Sequence, residues 1–411
     1  MLTRRALIAG SAALTAGCGF LESRFSAPSL PQERPLIWAV SRVFEQELPW
    51  LAEQLLNKDE ENPNGPKRGG YVLTRQEVGE DLYGDELIAV LKEMEADLVN
   101  VDTLNVDELA ERGVLLPLNG FRGADEATLN QEYYPSVLDQ FRVRESLYAL
   151  PLNAMPLMMH YDEALFVSES VPPMDSSWTW ADLVRVAEQL TKKREDGTVR
   201  RWGLVAHNFG ICWALWQNNA EVVDPATGEC RLGDAAALEA LEFMRGLFHT
   251  RRVSPAAIGR EMWDNIYING VAPAMIHSPF PKPSLGIRLG ELPRGKAQVV
   301  PVRAHMGMAI VAETPRPELA YVALRGLVDV MQELVVIPAQ RDAVARLGDF
   351  KVGLEEKDIS IIQRSMEHGR GVPRYGQTAR KALDRVLKAL VQGDDVITAV
   401  NDTCRYIRQF Q

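Results

Sequence analysis

Two aspartates, Asp102 and Asp162, each follow an apolar run, and a pair of carboxylates in a cleft is what a glycosidase needs. Such pairs work at separations of about 5 to 10 Å, one group donating a proton while the other attacks or activates water. Nothing else in the chain supports bond breaking: it has no Gly-x-Ser-x-Gly elbow, Walker loop, dinucleotide glycine fingerprint or His-Glu-x-x-His. The cysteines are Cys18, Cys212, Cys230 and Cys404. Cys212 and Cys230 flank the turn-rich run Asp224-Pro225-Ala226-Thr227-Gly228, so a disulfide between them and a pair of free buried thiols both fit. Their spacing matches no zinc site, and no metal or cofactor is expected. Trp213 and Trp216 stand three apart on one helical face.

The first eighteen residues carry a different kind of information. Thr3-Arg4-Arg5 opens an apolar run from Ala6 to Ala16 that ends in Thr15-Ala16-Gly17-Cys18. Charge, short apolar stretch and small residues are the layout of an export signal. The run is too short to cross a bilayer, which takes roughly 20 residues. Thr-Ala-Gly-Cys resembles the lipobox of bacterial lipoproteins, which implies lipidation of Cys18 as the mature N-terminus and membrane attachment through that lipid alone. Thr3-Arg4-Arg5-Ala6-Leu7 also resembles a twin-arginine address. Residues 18–34, with Ser26, Pro28, Ser29 and Pro31, have no helical or strand period and read as a tether. The chain of 411 residues is long enough for two or three domains, and its net charge of −11 leaves no basic footprint for nucleic acid.

The elements that must position these residues emerge from pattern. Pro35 to Val40 is an apolar run of strand length, Glu45 to Leu56 has a helical period, and Tyr71 to Val78 reads as a second strand. Asp85–Met94 is a helix, Ala96–Val101 a third strand, and Val106–Arg112 a short helix stopped by Gly113. This alternation predicts an α/β fold with a parallel sheet. Further on, Trp180–Arg194 is amphipathic, with Thr179 as N-cap and Asp182 three residues later. Helices at Asp234–Arg251, Arg316–Leu334 and Ala379–Gln392 come next, with short strands at Trp202–Ala206 and Gln298–Pro301 between them.

Leu147-Tyr148-Ala149-Leu150-Pro151-Leu152-Asn153, then Met159-His160-Tyr161-Asp162, Val171-Pro172-Pro173 and Trp178-Thr179-Trp180, form an ordered series. With Gly113-Val114-Leu115-Leu116-Pro117-Leu118, Asn269–Met275, Gly307–Ile310 and Ile337–Asp342, it resembles family 1 of the extracellular solute-binding proteins, the sugar-binding components of ABC importers in the branch that holds maltose-binding protein. Asp162 stands where the family has Asn, so it reads as a turn residue and not as half of a glycosidase pair. The resemblance spans about residues 35–411. It implies a two-lobed periplasmic-binding-protein-like (type II) fold with a hinge and an interlobe cleft. Lobe one is expected from 35–153 plus 306–338 and lobe two from 154–305 plus 339–411, with crossings near Asn153, His305 and Pro338.

The resemblance also nominates cleft residues. Lobe one offers Ser41, Arg42, Asp102 and Thr103, and the first crossing offers Asn153 and Met155. Lobe two offers His207, Phe209, Trp213, Trp216, Ser278, Phe280, Arg374 and Tyr375, with one of Trp213 and Trp216 expected to pack in the lobe and the other to reach the cleft. Flat rings suit the sugars the family binds, because the axial C–H face of a pyranose is apolar and a ring covers it at little entropic cost. Phe280 falls at a sugar platform of the family or in the core; Asp102 contacts ligand or caps the helix at Val106; His207 is a ligand contact or a structural histidine. Trp178 and Trp180 read as structural. Met155 stands where maltose-binding protein has a carboxylate, so maltose itself is not implied. The implied function is capture of a small solute, a carbohydrate above all, without catalysis, by a monomeric exported lipoprotein that faces the periplasm or cell exterior and delivers to ABC permease subunits. A sensor or surface lipoprotein on the same fold is the alternative.

Overall fold

The computed structural model describes residues 34–41, 47–57, 71–79, 82–103, 105–206, 211–224, 226–257, 273–278, 286–351, 353–371 and 376–409. The chain divides into Met1–Arg34 and Pro35–Gln411. The expected leader and tether, Cys18 included, lie outside the described residues apart from Arg34. The strands and helices of the described residues belong to the second unit.

Its main strands are β1 Leu36–Ser41, β2 Leu73–Val78, β3 Leu98–Asp102, β4 Ala149–Pro151, β5 Met155–Pro156, β6 Met158–Asp162, β7 Met275–Ser278, β8 Ile287–Gly290, β9 Val300–Arg303, β10 Met306–Ile310 and β11 Gly369–Gly371. The helices that position the site are α1 Glu47–Asn57, α2 Gly84–Glu93, α3 Val106–Glu111, α4 Pro135–Leu138, α5 Trp180–Leu190, α6 Cys212–Gln217, α7 Ala235–Phe248, α8 Pro317–Leu334, α9 Gly376–Gln392 and α10 Val396–Arg408.

A five-stranded sheet in the order β2-β1-β3-β10-β4 organises the first region. β1 runs parallel to β2 and β3, while β10 is antiparallel to β3 and β4. Leu36 to Val40 are all buried, as a strand covered on both faces requires. Two polar groups inside this core are satisfied. The Asp97 carboxylate accepts from the Ile37 amide (2.9 Å) and the Thr314 hydroxyl (2.5 Å), and Trp38 Nε1 donates to Asn100 Oδ1 (2.7 Å). Gly307 in β10 makes room for a core ring, since a Cβ there would stand 2.7 Å from Phe141 Cε1.

The second region holds two three-stranded sheets, β7-β6-β8 and β11-β9-β5. In the latter β9 is parallel to β11 and antiparallel to β5. Helix α5 starts with the expected capping box, Thr179 and Asp182 each accepting from the other's amide. It ends at Leu190, before the predicted Arg194, because Thr191 turns to extended backbone and Lys192–Lys193 pairs with Val199–Arg201. The strand expected at Trp202–Ala206 is reduced to a parallel bridge between Val205 and Ile276. Gly203 within it lies against α5, where a Cβ would collide with the Ala187 carbonyl oxygen.

The cysteines pair differently from the expectation for Cys212 and Cys230. Cys230 is bonded to Cys404 of α10, and Cys212 is a free buried thiol. The reason is direction: Cys212 opens α6, a helix buried on every side, while Cys230 sits on the returning strand of a turn, bridged to Val223, beside the C-terminal helix.

Candidate functional site

In open α/β sheets ligands collect beyond the carboxyl ends of the parallel strands. Here β1 ends at Ser41 and β3 at Asp102; on the other side β9 ends at Arg303 and β11 at Gly371. The step from β9 to β10 is only Ala304 and His305. Met306, the first residue of β10, pairs with Asp102, and Arg303, the last of β9, pairs with Met155. The carboxyl ends of β3 and β9 are therefore joined by one short crossing, with Asp102 and Met155 at its two ends.

Two carboxamides hold the crossings. Asn153 Oδ1 accepts from the amides of His305 and Met306, each at 3.1 Å, and Asn153 also bridges to Pro338. Gln332, 1% exposed, accepts from the amides of Ala339 (2.7 Å) and Gln340 (3.0 Å) and donates to the Pro151 carbonyl (3.3 Å). A backbone that changes sheets loses its ladder partners, and buried amide groups must find others. These side chains supply them.

The nominated residues separate into three groups. Asp102, Thr103, Asn153 and Met155 gather at the crossings. Asp102 Oδ1 accepts from the Asn105 amide (2.9 Å), and its own amide donates to Asn105 Oδ1 (3.0 Å), so it closes the turn before α3. Thr103 is half-buried in that turn, and Met155 is half-buried beside Arg303. Ser278 ends β7 opposite Met158, just before residues 279–285, which are outside the described set. The backbone of Ser41 ends β1, while Arg42, His207, Phe209, Phe280, Arg374 and Tyr375 lie outside the described residues.

Trp213 and Trp216 form the third group and correct the expectation that one ring reaches a cleft. Trp213 is fully buried among Trp180, Phe243 and His277, whose rings lie 5.7, 6.1 and 4.9 Å away. Trp216 is 2% exposed, and the Arg370 guanidinium covers its ring at 4.4 Å. Every residue of α6 is buried, so a spacing of three could not separate an inner face from an outer one.

Asp162 Oδ1 accepts from the Leu165 amide at 2.9 Å and caps the helix Glu163–Ser168. Both carboxylates of the imagined glycosidase pair are thus engaged in local turns. Burial pushes the Cys212 thiol up to about 12, against the pull of Arg303 and Arg370, so it is a packing residue and not a nucleophile. Among the described residues no cluster of His, Cys, Asp and Glu could hold a metal ion. A hollow of about 460 Å³ lined by Trp180, Val184, Phe243 and Arg251 lies between α5 and α7, away from the strand ends that define the site.

Residues that pattern alone missed stand on the second region's side. Arg370 makes a two-pronged ion pair with Glu221, at 2.8 and 2.7 Å, while stacked on Trp216. Arg303 projects from the same face of its sheet as Arg370 and Met155, as its register dictates. Partners 149 residues apart leave no local signature.

The family described as Bacterial extracellular solute-binding protein matches residues 84–326, more than half of the chain. The chain belongs to this family, an exported class whose members bind solutes and are not enzymes. No curated protein matches the sequence. The same two-lobed fold is found in the sugar-binding protein MalE from the phytopathogen Xanthomonas citri, at 13% identity and a TM-score of 0.71, covering 92% of this chain and 97% of that one. It is also found in an ABC substrate-binding protein from Listeria monocytogenes in complex with cycloalternan, at 14% identity and a TM-score of 0.67, covering 92% and 98%. UspC of M. tuberculosis matches at 16% identity and a TM-score of 0.68, covering 92% and 100%. At these identities the likeness shows the fold.

Proposed function

We propose that this chain is the substrate-binding component of an ABC importer, holding a small carbohydrate in the interlobe cleft and delivering it unaltered to permease subunits. The observation that carries the reading is the meeting of two sets of strand ends at crossings whose backbone is tied by side-chain amides. Two lobes joined in this way can close over a solute by hinge motion. Lobe one comprises 35–153 and 306–338, and lobe two 154–305 and 339–411. Several of the similar structures carry sugars, among them maltotetraose, cycloalternan and tagatose, which supports a carbohydrate here. The protein acts as a monomer anchored through lipid at Cys18, facing the periplasm or cell exterior; Cys18→Ser should release it from the membrane fraction.

With Trp213 and Trp216 in the core, the stacking surface falls to Phe280, Tyr375 and Phe209, with hydroxyl partners from Ser41, Asp102, Ser278 and the arginines Arg42 and Arg374. Apolar walls with a few placed polar groups are the usual build of such sites. Phe280→Ala and Tyr375→Ala should each cost about 1 to 4 kcal/mol of binding, as buried anchors do. A thermal-shift screen over a carbohydrate panel, with titration of the best sugar into both variants, tests this. Normal binding by both would move the site elsewhere.

A further inference from the structure

Residues 133–141 meet the sheet β11-β9-β5 on the face that carries Gly369, Gly371 and Val302, opposite the face of Met155 and Arg370. Phe141 is locked into the five-stranded sheet by its fit against Gly307, so the turn Asp139–Phe141 moves with lobe one. Gln140, only 5% exposed, reaches from that turn into lobe two. Its Nε2 donates to the carbonyls of Ser136 (2.6 Å) and Val302 (3.1 Å), and its Oε1 accepts from the Ala304 amide (3.1 Å). One carboxamide thus ties α4 of lobe one to both the end of β9 and the crossing after it.

The opposing strand is shaped to admit this. β11 reads Gly369-Arg370-Gly371, and its alternation sends the two glycines toward α4 and Arg370 toward Trp216. A Cβ on Gly369 would stand 2.7 Å from Ser136 Oγ, and one on Gly371 2.7 Å from the Ser136 carbonyl oxygen. Neither glycine has a positive φ, so each is there for close approach and not for backbone freedom. On its other face Arg370 is held by Glu221 and Trp216, which makes β11 a stiff part of lobe two. Beside it Arg341 stacks on the Tyr134 ring at 4.1 Å, donates to the Tyr133 carbonyl at 3.1 Å and pairs with Glu367 at 2.6 Å, two residues before β11.

We propose that this glycine-lined contact, centred on Gln140, Gly369 and Gly371, is a pivot that sets the resting angle between the lobes and so tunes solute affinity from outside the ligand site. The proposal rests on the two-lobe capture reading. Interiors are close-packed and transmit strain, so an added methyl group at the pivot must be absorbed by rotation of one lobe against the other. Affinity changes with it, because a solute that needs the closed arrangement is bound in proportion to how often that arrangement is populated.

The test reads the solute-free protein. Spin labels at the exposed positions Glu111→Cys and Lys193→Cys report the interlobe distance by pulsed electron resonance. Gly371→Ala should displace the mean distance beyond the scatter of repeat measurements, and Gln140→Ala should broaden the distribution. Arg341→Ala removes a tie without adding bulk and should broaden it as well, which keeps the test decisive where Gly371→Ala fails to fold. Distributions of the folded variants superimposable on the parent overturn the pivot. As no solute is present, that result leaves the capture reading standing. A parent that no sugar closes would count against capture while the pivot measurement remains readable.

Discussion

In the five-stranded sheet β1 buries five successive residues, and its neighbours β2 and β3 lie in parallel register along it. In the three-stranded sheets no strand exceeds five residues, and β5 has two. The first region is held by the continuous burial of its strands, with α1 packed on β2 and against α8, and α8 packed on β10. The second relies on ties between residues far apart in sequence: Cys230 to Cys404, Arg370 to Glu221, and Glu169 to Lys192 and Arg201. Short strands bury too little of their own surface to fix their neighbours, so covalent and ionic links carry more of that burden. The two halves should therefore fail first for different reasons.

Removing the disulfide should have the largest effect. It links residues 174 positions apart, and closing so long a loop is worth roughly 5 kcal/mol on chain-entropy grounds. Cys230→Ala with Cys404→Ala, studied by urea unfolding and hydrogen exchange, should loosen α7 and α10 while amides of β1 and β3 stay protected. Equal loss in both regions would mean that the disulfide stabilises the whole chain and not the second region alone.

Leu98→Ala tests the other half. Leu98 is fully buried in β3, and such truncations cost about 2 to 5 kcal/mol. The loss should be the same under oxidising and reducing conditions, because distant sites add. A loss that vanishes on reduction would mean that the regions are not independent.

Thr179→Ala deletes the N-cap of α5 and should cost about 1 kcal/mol by thermal melting, with solute binding unchanged. The smallest effect concerns acid. The guanidinium of Arg201 and then the Lys192 ammonium hold the Glu169 carboxyl below its usual range. A depressed carboxyl contributes stability above its unfolded pKa and loses it as pH falls through the folded one. The gap in melting temperature between parent and Glu169→Gln should therefore be flat from neutral pH to the ordinary carboxylate range and shrink below it. A gap that widens in acid would contradict the ion pair.

What was legible in the sequence was local or periodic. The run Pro35–Val40 becomes β1, and Thr179 with Asp182 forms the capping box, because each signal lies within a few residues. The order of weak motifs disclosed the family. Asp102 reads from sequence as ligand contact or cap; the observed bonds to Asn105 make it the residue that closes the turn before α3, whose N-cap is Asn105. Trp213 and Trp216 misled because periodicity assumes an exposed face that α6 lacks. The cysteine pairing, Gln140 with Ala304 and Arg370 with Glu221 depend on tertiary approach, which spacing cannot express.

Capture of an unaltered sugar by closure of two lobes is the proposed activity. Small-angle scattering on the protein, alone and saturated with the tightest sugar from the thermal-shift panel, tests it most directly when the sugar is then recovered and analysed. A smaller radius of gyration with sugar and a chemically unchanged sugar are expected. A saturated protein whose scattering matches the empty one, or a sugar returned hydrolysed, would contradict it.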